Sequence, residues 1–241
     1  MLGTLVEMRI PDCGSAPAAF ERAFAAVERV HRLMSRQAPD SDVARLNCAE
    51  PGALVCVDRW TRQVLQRAKE IHAATGGLFD CAAAPGRDGT LADLELHGDR
   101  VRLRRSLAIS LDGIAKGYAV DRAVEALRRA GAKAGSVNAG GDLFVFGEEP
   151  QVVHVRHPRD PGRFVSIGAV KEAAVATSGL YFGHSSLIDP RTRRARRTAW
   201  SATVIASDCT AADALTKPCL LDRRAAPAFA AACGARAVLL H

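Results

Sequence analysis

SLDGIAKGYAVDRAVEAL, residues 110–127, is the stretch around which the rest of the chain is arranged. It reads as the end of a strand, a tight glycine turn and an amphipathic helix. Gly113 and Gly117 bracket Lys116, so backbone and ammonium can approach a bulky anionic ligand with no Cβ between them. The helix start directs unpaired N–H groups and a positive dipole end at the same spot. Val120, Val124 and Leu127 recur at helical spacing and give the helix a core-facing side. As chemistry, the segment is a candidate phosphate cradle, although a glycine turn before a helix is more often plain structure. It is neither GxGxxG nor a Walker loop, which excludes a dinucleotide fold or a P-loop.

Downstream of this segment, Gly131 closes the helix as a C′ residue and a strand ends in VNAGGD, Val137 to Asp142. Leu143–Phe146, Val152–Arg156 and Phe164–Ala169 read as strands, the last two separated by the loop HPRDPG. Ala174–Gly179 and Ser186–Thr192 are short and apolar, and an arginine run (Arg191, Arg193, Arg194, Arg196, Arg197) reads as a loop. Ser201–Ala206 is a strand, a helix starts near Thr210, and Pro218 is expected to end or kink it. A helix over Ala225–Cys233 and a strand over Ala237–Leu240 finish the chain.

Upstream, Leu2–Ile10 is strand-like, and Ala16–Ser35 is a long helix with Phe20, Phe24, Val27, Val30 and Met34 as its buried stripe. Ser35–Asn47 holds a Pro-Asp turn and a short capped turn. A second helix, about Arg59 to Ala74, stops at Gly76-Gly77. Asp93–Arg104 alternates about Gly98-Asp99 as a hairpin with one buried face. Strands outnumber helices without alternating with them, so the class is α+β, not a doubly wound sheet.

A chain of 241 residues with 48% hydrophobic content can bury a large core, and residues 1–241 read as a single domain. A net charge of +7 suits an anionic ligand. Only two Trp and two Tyr are available for base stacking, so no nucleic-acid partner is expected. No apolar run reaches membrane-spanning length, and Met1–Ile10 carries no export signal, so a cytoplasmic chain is expected. Seven scattered cysteines without CxxC spacing point to free thiols, not to zinc or a disulfide framework.

Polar clusters fall where strands end and helices start: Arg45/Asn47, Thr75–Asp80, Asp112–Lys116, Asn138–Asp142, Thr177/Ser178, Asp189–Thr192 and Asp213–Lys217. Any one of them reads equally as a turn or a helix cap. Together, MLGTLVE, PDSDVARLN, TGGLFD, LDGIAKGYAVDRA, VNAGGDL, VATSG, LIDPRT and ATVIAS followed by AADAL span almost the whole chain. In that order they resemble the ApbE family of FAD:protein FMN transferases, in a short form without a lipoprotein leader.

The resemblance implies a two-lobed α+β fold, with mixed or antiparallel sheets and helices around a central cleft that holds FAD. It implies transfer of FMN from FAD to a Thr hydroxyl of an acceptor flavoprotein, with release of AMP. It also implies that Leu78, Phe79, Asp80 and Ile188 line the flavin nucleotide site, that Lys116 and Tyr118 hold the pyrophosphate end or the rest of the cofactor, and that Asn47 orders the cleft. The Ala115 carbonyl and the Asp213 carboxylate, with a threonine hydroxyl, are the hard oxygen ligands it implies for Mg²⁺.

Two departures fall at the working end. The family writes His three residues before the Asp of IDPRT, as base for the incoming hydroxyl; here Ser186 stands there and His184 lies two residues earlier. The metal-binding threonine is expected four residues after Asp213. Lys217 stands there, with Thr216 one residue early. A lysine ammonium can take a cation's place and pair with Asp213 and a phosphate, which sets Lys217 against Mg²⁺ use. The alternatives are an FAD-binding protein of the same fold with weakened or lost transfer, and an anionic-surface binder using the arginine run. A homodimer is left open.

Overall fold

The computed structural model describes residues 2–11, 16–83, 89–160, 162–179 and 187–241. In chain order the elements begin with β1 (Val6–Arg9), α1 (Ala16–Met34), α2 (Asp42–Cys48), β2 (Leu54–Cys56) and α3 (Arg59–Ala74). A 3₁₀ turn at Leu91–Asp93 leads into the hairpin β3 (Leu94–His97) and β4 (Arg100–Leu103). Then follow α4 (Ala115–Arg129), β5 (Gly135–Ala139), β6 (Asp142–Phe146), β7 (Gln151–Arg156), β8 (Phe164–Val170) and β9 (Ala173–Gly179). The last part comprises β10 (Leu187–Asp189), β11 (Arg194–Arg196), β12 (Ser201–Ala206), α5 (Cys209–Leu221), α6 (Ala226–Ala232) and β13 (Arg236–Leu240).

A six-stranded sheet, ordered β1-β5-β6-β9-β12-β13, carries the site, and every neighbouring pair in it is antiparallel. Both of its faces are apolar in the middle because both are covered. Phe144, Phe146, Ala174, Ala176, Ala202 and Val204 join the main core under α4 and α5. Val145 and Val175 point the other way and pack with Val153 and Val170 of the β7–β8 hairpin. The alternation of period two along β6 and β9 thus feeds two cores at once. Each sheet among the described residues is antiparallel, which makes the class α+β as the strand-rich sequence requires.

Four readings of the sequence change on contact with the fold, the last at Pro218. In α1 the deepest residues in the first half are Ala19 and Ala23, while Phe20 and Phe24 are only half-buried. The helix lies across α4, and a small-residue seam lets the two approach closely, so the larger aromatics turn to its flank. Ser35–Asn47 is more than a turn: Ser41 caps α2 by accepting from the Ala44 N–H at 3.0 Å, and Asp42, Val43 and Leu46 are buried. The arginine run is in part strand, since Arg194–Arg196 forms β11 against β10.

Pro218 does not end its helix. α5 continues to Leu221, and the Asp222 N–H closes on the Pro218 carbonyl at 2.9 Å. The helix is buried nearly all round, so packing holds it through a residue that would break an exposed one.

Candidate functional site

A cavity of about 940 Å³ opens between four pieces of the fold. Leu78, Phe79 and Asp80 form one wall, and Ser110, Gly113 and Lys116 form a second. Thr177 and Ser178 at the end of β9 form a third, and Val153, Val155 and Phe164 of the β7–β8 hairpin form the fourth. Ile188 and Lys217 also line it, and Arg36 reaches the edge, 3.3 Å from Asp112.

The first wall is set by the end of α3. Gly76 and Gly77 take φ of +57° and +84°, left-handed values that end the helix at low cost only for glycine. Thr75 locks the turn: its hydroxyl donates to the Ile71 carbonyl at 2.7 Å and accepts from the Phe79 N–H at 3.0 Å. His72 Nδ1 donates to the Phe79 carbonyl at 2.8 Å. Burial raises Asp80 above the usual carboxylate range, against the N–H groups of Ala82 and Leu91, which donate to Oδ1 at 2.7 and 3.2 Å. Leu78 and Phe79 are thereby held in the cavity wall as an apolar surface.

The second wall departs from the phosphate-cradle reading. A Cβ on Gly117 would stand 2.1 Å from the Cys209 carbonyl oxygen, so this glycine serves the packing of α4 against α5 and not access for a ligand. The start of α4 already has an anion: the Gly117 N–H donates to Asp213 Oδ2 at 3.2 Å. The dipole end expected to face a phosphate is aimed at a buried aspartate.

Around that aspartate two lysines and two carboxylates form one cluster. Lys116 Nζ donates to Asp142 and lies 3.3 Å from Asp213 Oδ2. Lys217 Nζ donates to Asp213 Oδ1 and, at 2.8 Å, to the Asp213 backbone carbonyl. The side chain of Asp213 is 1% exposed, against 28% for Lys116 and 23% for Lys217, so the ammonium groups cover the acid from the cavity side. Burial alone would lower Lys116, but Asp213 and Asp142 reverse this and hold it above the ordinary lysine value. Burial would raise Asp213, and the two lysines outweigh it and depress the acid. Asp142 goes the other way, pushed up to about 7 by burial and by the charge of Asp213.

Of the other residues singled out in the sequence, Asn47 clamps the strand-like approach to Lys116. Its amide donates to the Ile109 carbonyl at 2.9 Å and accepts from the Ile109 N–H at 2.7 Å. Ile188 is in the cavity wall. Tyr118 is placed elsewhere: it is buried, its hydroxyl bonds Gln63 at 2.5 Å, and its ring meets Trp60 edge-on. His184 and Ser186 lie outside the described residues.

The Mg²⁺ ligand set implied by the sequence does not fit the donors present. Asp213 Oδ1 is taken by Lys217, and Oδ2 by Gly117 and Lys116. The Thr216 hydroxyl donates to the Asp213 carbonyl at 2.7 Å and shares a 2.8 Å bond with Ser178. Ala115 opens α4 and is buried. A divalent ion about 4 Å from one ammonium would be repelled by roughly 8 kcal/mol at an effective dielectric near 20. Among the described residues no group of three or more His, Cys, Asp or Glu could hold a metal.

Sequence reasoning missed Asp142 as the partner of Lys116, and the hairpin wall. The signal for Asp142 was charge matching: two lysines beside one buried carboxylate require a second, and VNAGGD supplies it. The glycine pair before it divides its roles. A Cβ on Gly140 would strike the Thr4 hydroxyl at 2.3 Å, while one on Gly141 would meet nothing within 4 Å, beside the cavity.

A FAD:protein FMN transferase of Rhodobacter capsulatus is 29% identical over 99% of this chain, which spans 54% of that protein's length. One of Treponema pallidum (strain Nichols) is 26% identical over 92% of this chain and 76% of its own. The ApbE protein of Thermotoga maritima superposes with a TM-score of 0.83 at 27% identity, covering 99% of this chain and 91% of that one. The flavin transferase ApbE of Vibrio cholerae does so with 0.84 at 22% identity, over 98% and 90%. The ApbE family model matches residues 2–90 and 86–239, and the chain belongs to that family.

Proposed function

We propose that this chain is an FAD:protein FMN transferase, moving FMN from FAD onto a threonine hydroxyl of an acceptor protein. The observation that carries the reading is the cavity itself. It unites an apolar wall at Leu78, Phe79 and Ile188 with two ammonium groups, Lys116 and Lys217, and is of the size that holds a large cofactor. The apolar wall suits the flavin ring, and the lysines suit the pyrophosphate. In the reaction the threonine oxygen attacks the FMN-side phosphorus, the bond from that phosphorus to the bridging oxygen breaks, and AMP leaves with the electron pair. Phosphoryl transfer needs charge neutralisation and in-line placement more than a covalent catalyst, and Lys116 and Lys217 can neutralise charge on the phosphates. His184 is proposed as the group that takes the hydroxyl proton, from its place in the sequence two residues before Ser186.

Ser186 in place of the expected histidine favours a second reading, FAD binding without transfer. Incubation with FAD and a threonine-containing acceptor separates the two. The first predicts a mass increase of the acceptor equal to FMN, with matching AMP. Bound FAD with neither product supports the second, and no FAD binding removes both.

A further inference from the structure

We infer that the Lys217 ammonium is the resident cation of this site, a counter-charge carried by the chain that makes dinucleotide binding independent of divalent metal. The inference rests on the FAD reading above and adds how the pyrophosphate is met.

Four observations converge. Lys217 lies one helical turn after Asp213 on α5, and its Nζ donates to both the carboxylate and the carbonyl of that residue. That carboxylate is the one the implied metal would need. The side chain is part of the cavity wall and 23% exposed, so the charge faces the ligand space as well as Asp213. Its stem runs beside the glycine turn of the second wall: a Cβ on Gly113 would stand in ordinary contact with it, 3.4 Å from Lys217 Cε and 3.9 Å from Nζ. Thr216, the nearby hydroxyl that could serve a metal, is turned to Ser178 and the Asp213 carbonyl.

The cluster of Lys116, Lys217, Asp142 and Asp213 balances two positive charges against two negative ones. An incoming pyrophosphate therefore meets ammonium groups already held in place by buried acids. A lysine has three donors, so Nζ of Lys217 can keep its bonds to Asp213 and still turn one N–H to a phosphate oxygen. A metal brought by the ligand would stand against both lysines.

The test is calorimetric titration of FAD into metal-stripped protein with EDTA, and again with excess Mg²⁺, for wild type, Lys217→Thr and Lys217→Arg. Binding of Mn²⁺ to each protein with FAD present is read in parallel by electron paramagnetic resonance. Wild type is expected to bind FAD in EDTA with an affinity that Mg²⁺ changes less than about threefold, and to retain no stoichiometric Mn²⁺. Lys217→Thr should lose roughly 10- to 100-fold in EDTA, the range of one charge-assisted hydrogen bond. It should gain Mg²⁺ dependence and Mn²⁺ binding, while Lys217→Arg stays metal-independent.

Wild-type FAD binding that requires Mg²⁺, or one tightly held Mn²⁺ in the wild-type complex, overturns this inference and leaves the flavin reading intact. So does Lys217→Thr binding as tightly in EDTA as wild type. Absence of FAD binding in every condition overturns both. The two wild-type titrations decide the matter even if a variant does not fold.

Discussion

Asp142 is the residue whose charge state should set how the cavity meets the phosphates of the proposed FAD. It receives the Lys116 ammonium and is 3% exposed; burial and the neighbouring Asp213 push it up to about 7, against the pull of Lys116 and Lys217. Protonating it removes a negative charge beside the ligand and frees Lys116. FAD affinity should therefore rise as pH falls through about 7, and Asp142→Asn should hold the high affinity across that range. Titrations in buffers on either side of neutrality check this, and affinity that falls on acidification of wild type contradicts it. The linkage for folding has the same direction: a carboxyl raised in the folded state takes up a proton more readily than in the unfolded chain. Its contribution therefore becomes progressively unfavourable as pH rises from the ordinary carboxylate value, about 4, to the folded value of about 7, and changes no further above it.

At the scale of elements, α5 is the piece on which the site depends, because Asp213 and Lys217 sit on it one turn apart. Its start is held twice. Asp208 caps it by accepting from the Ala211 N–H at 2.7 Å, and Asp121 of α4 accepts from the N–H groups of Cys209 and Thr210 at 2.7 and 2.9 Å. Asp121 also takes the Thr210 hydroxyl. Asp121→Ala leaves those donors without their acceptor and should cost about 2 kcal/mol, seen as a lower urea midpoint with an unchanged slope. An unchanged midpoint would show that Asp208 caps the helix alone.

The helices and hairpins were legible from periodicity and punctuation. α3 runs from Arg59 to Ala74 as read, and the Asp93–Arg104 hairpin turns at Gly98-Asp99. Two kinds of feature were not. Seams of small residues, such as Ala19 and Ala23 in α1, carry no hydrophobic weight of their own and become core only because α4 approaches them. Gly113 and Gly117 look alike in the sequence, yet a Cβ on the first would merely touch the Lys217 stem while one on the second would strike the Cys209 carbonyl, a difference fixed by long-range packing. In the site, Phe79, Asp80, Lys116 and Ile188 were legible as motif residues. The Lys116–Asp142 pairing was not, since it joins positions 26 residues apart through the sheet.

For the whole molecule, the six-stranded sheet places its two cores back to back and leaves the cavity where β9 ends, α4 begins and the β7–β8 hairpin comes over. The net charge of +7 fits an anionic ligand, and the cavity is lined by Lys116 and Lys217, each paired with a buried acid, together with Arg36 and Arg156. Where FAD sits is decisive, and a crystal structure of the wild-type protein with FAD shows it. It should place the dinucleotide in this cavity, its ring against Phe79 and Ile188, and its pyrophosphate oxygens about 3 Å from Nζ of Lys116 and Lys217. FAD bound elsewhere with the cavity vacant, or seated with its phosphates turned away from both lysines, would contradict it.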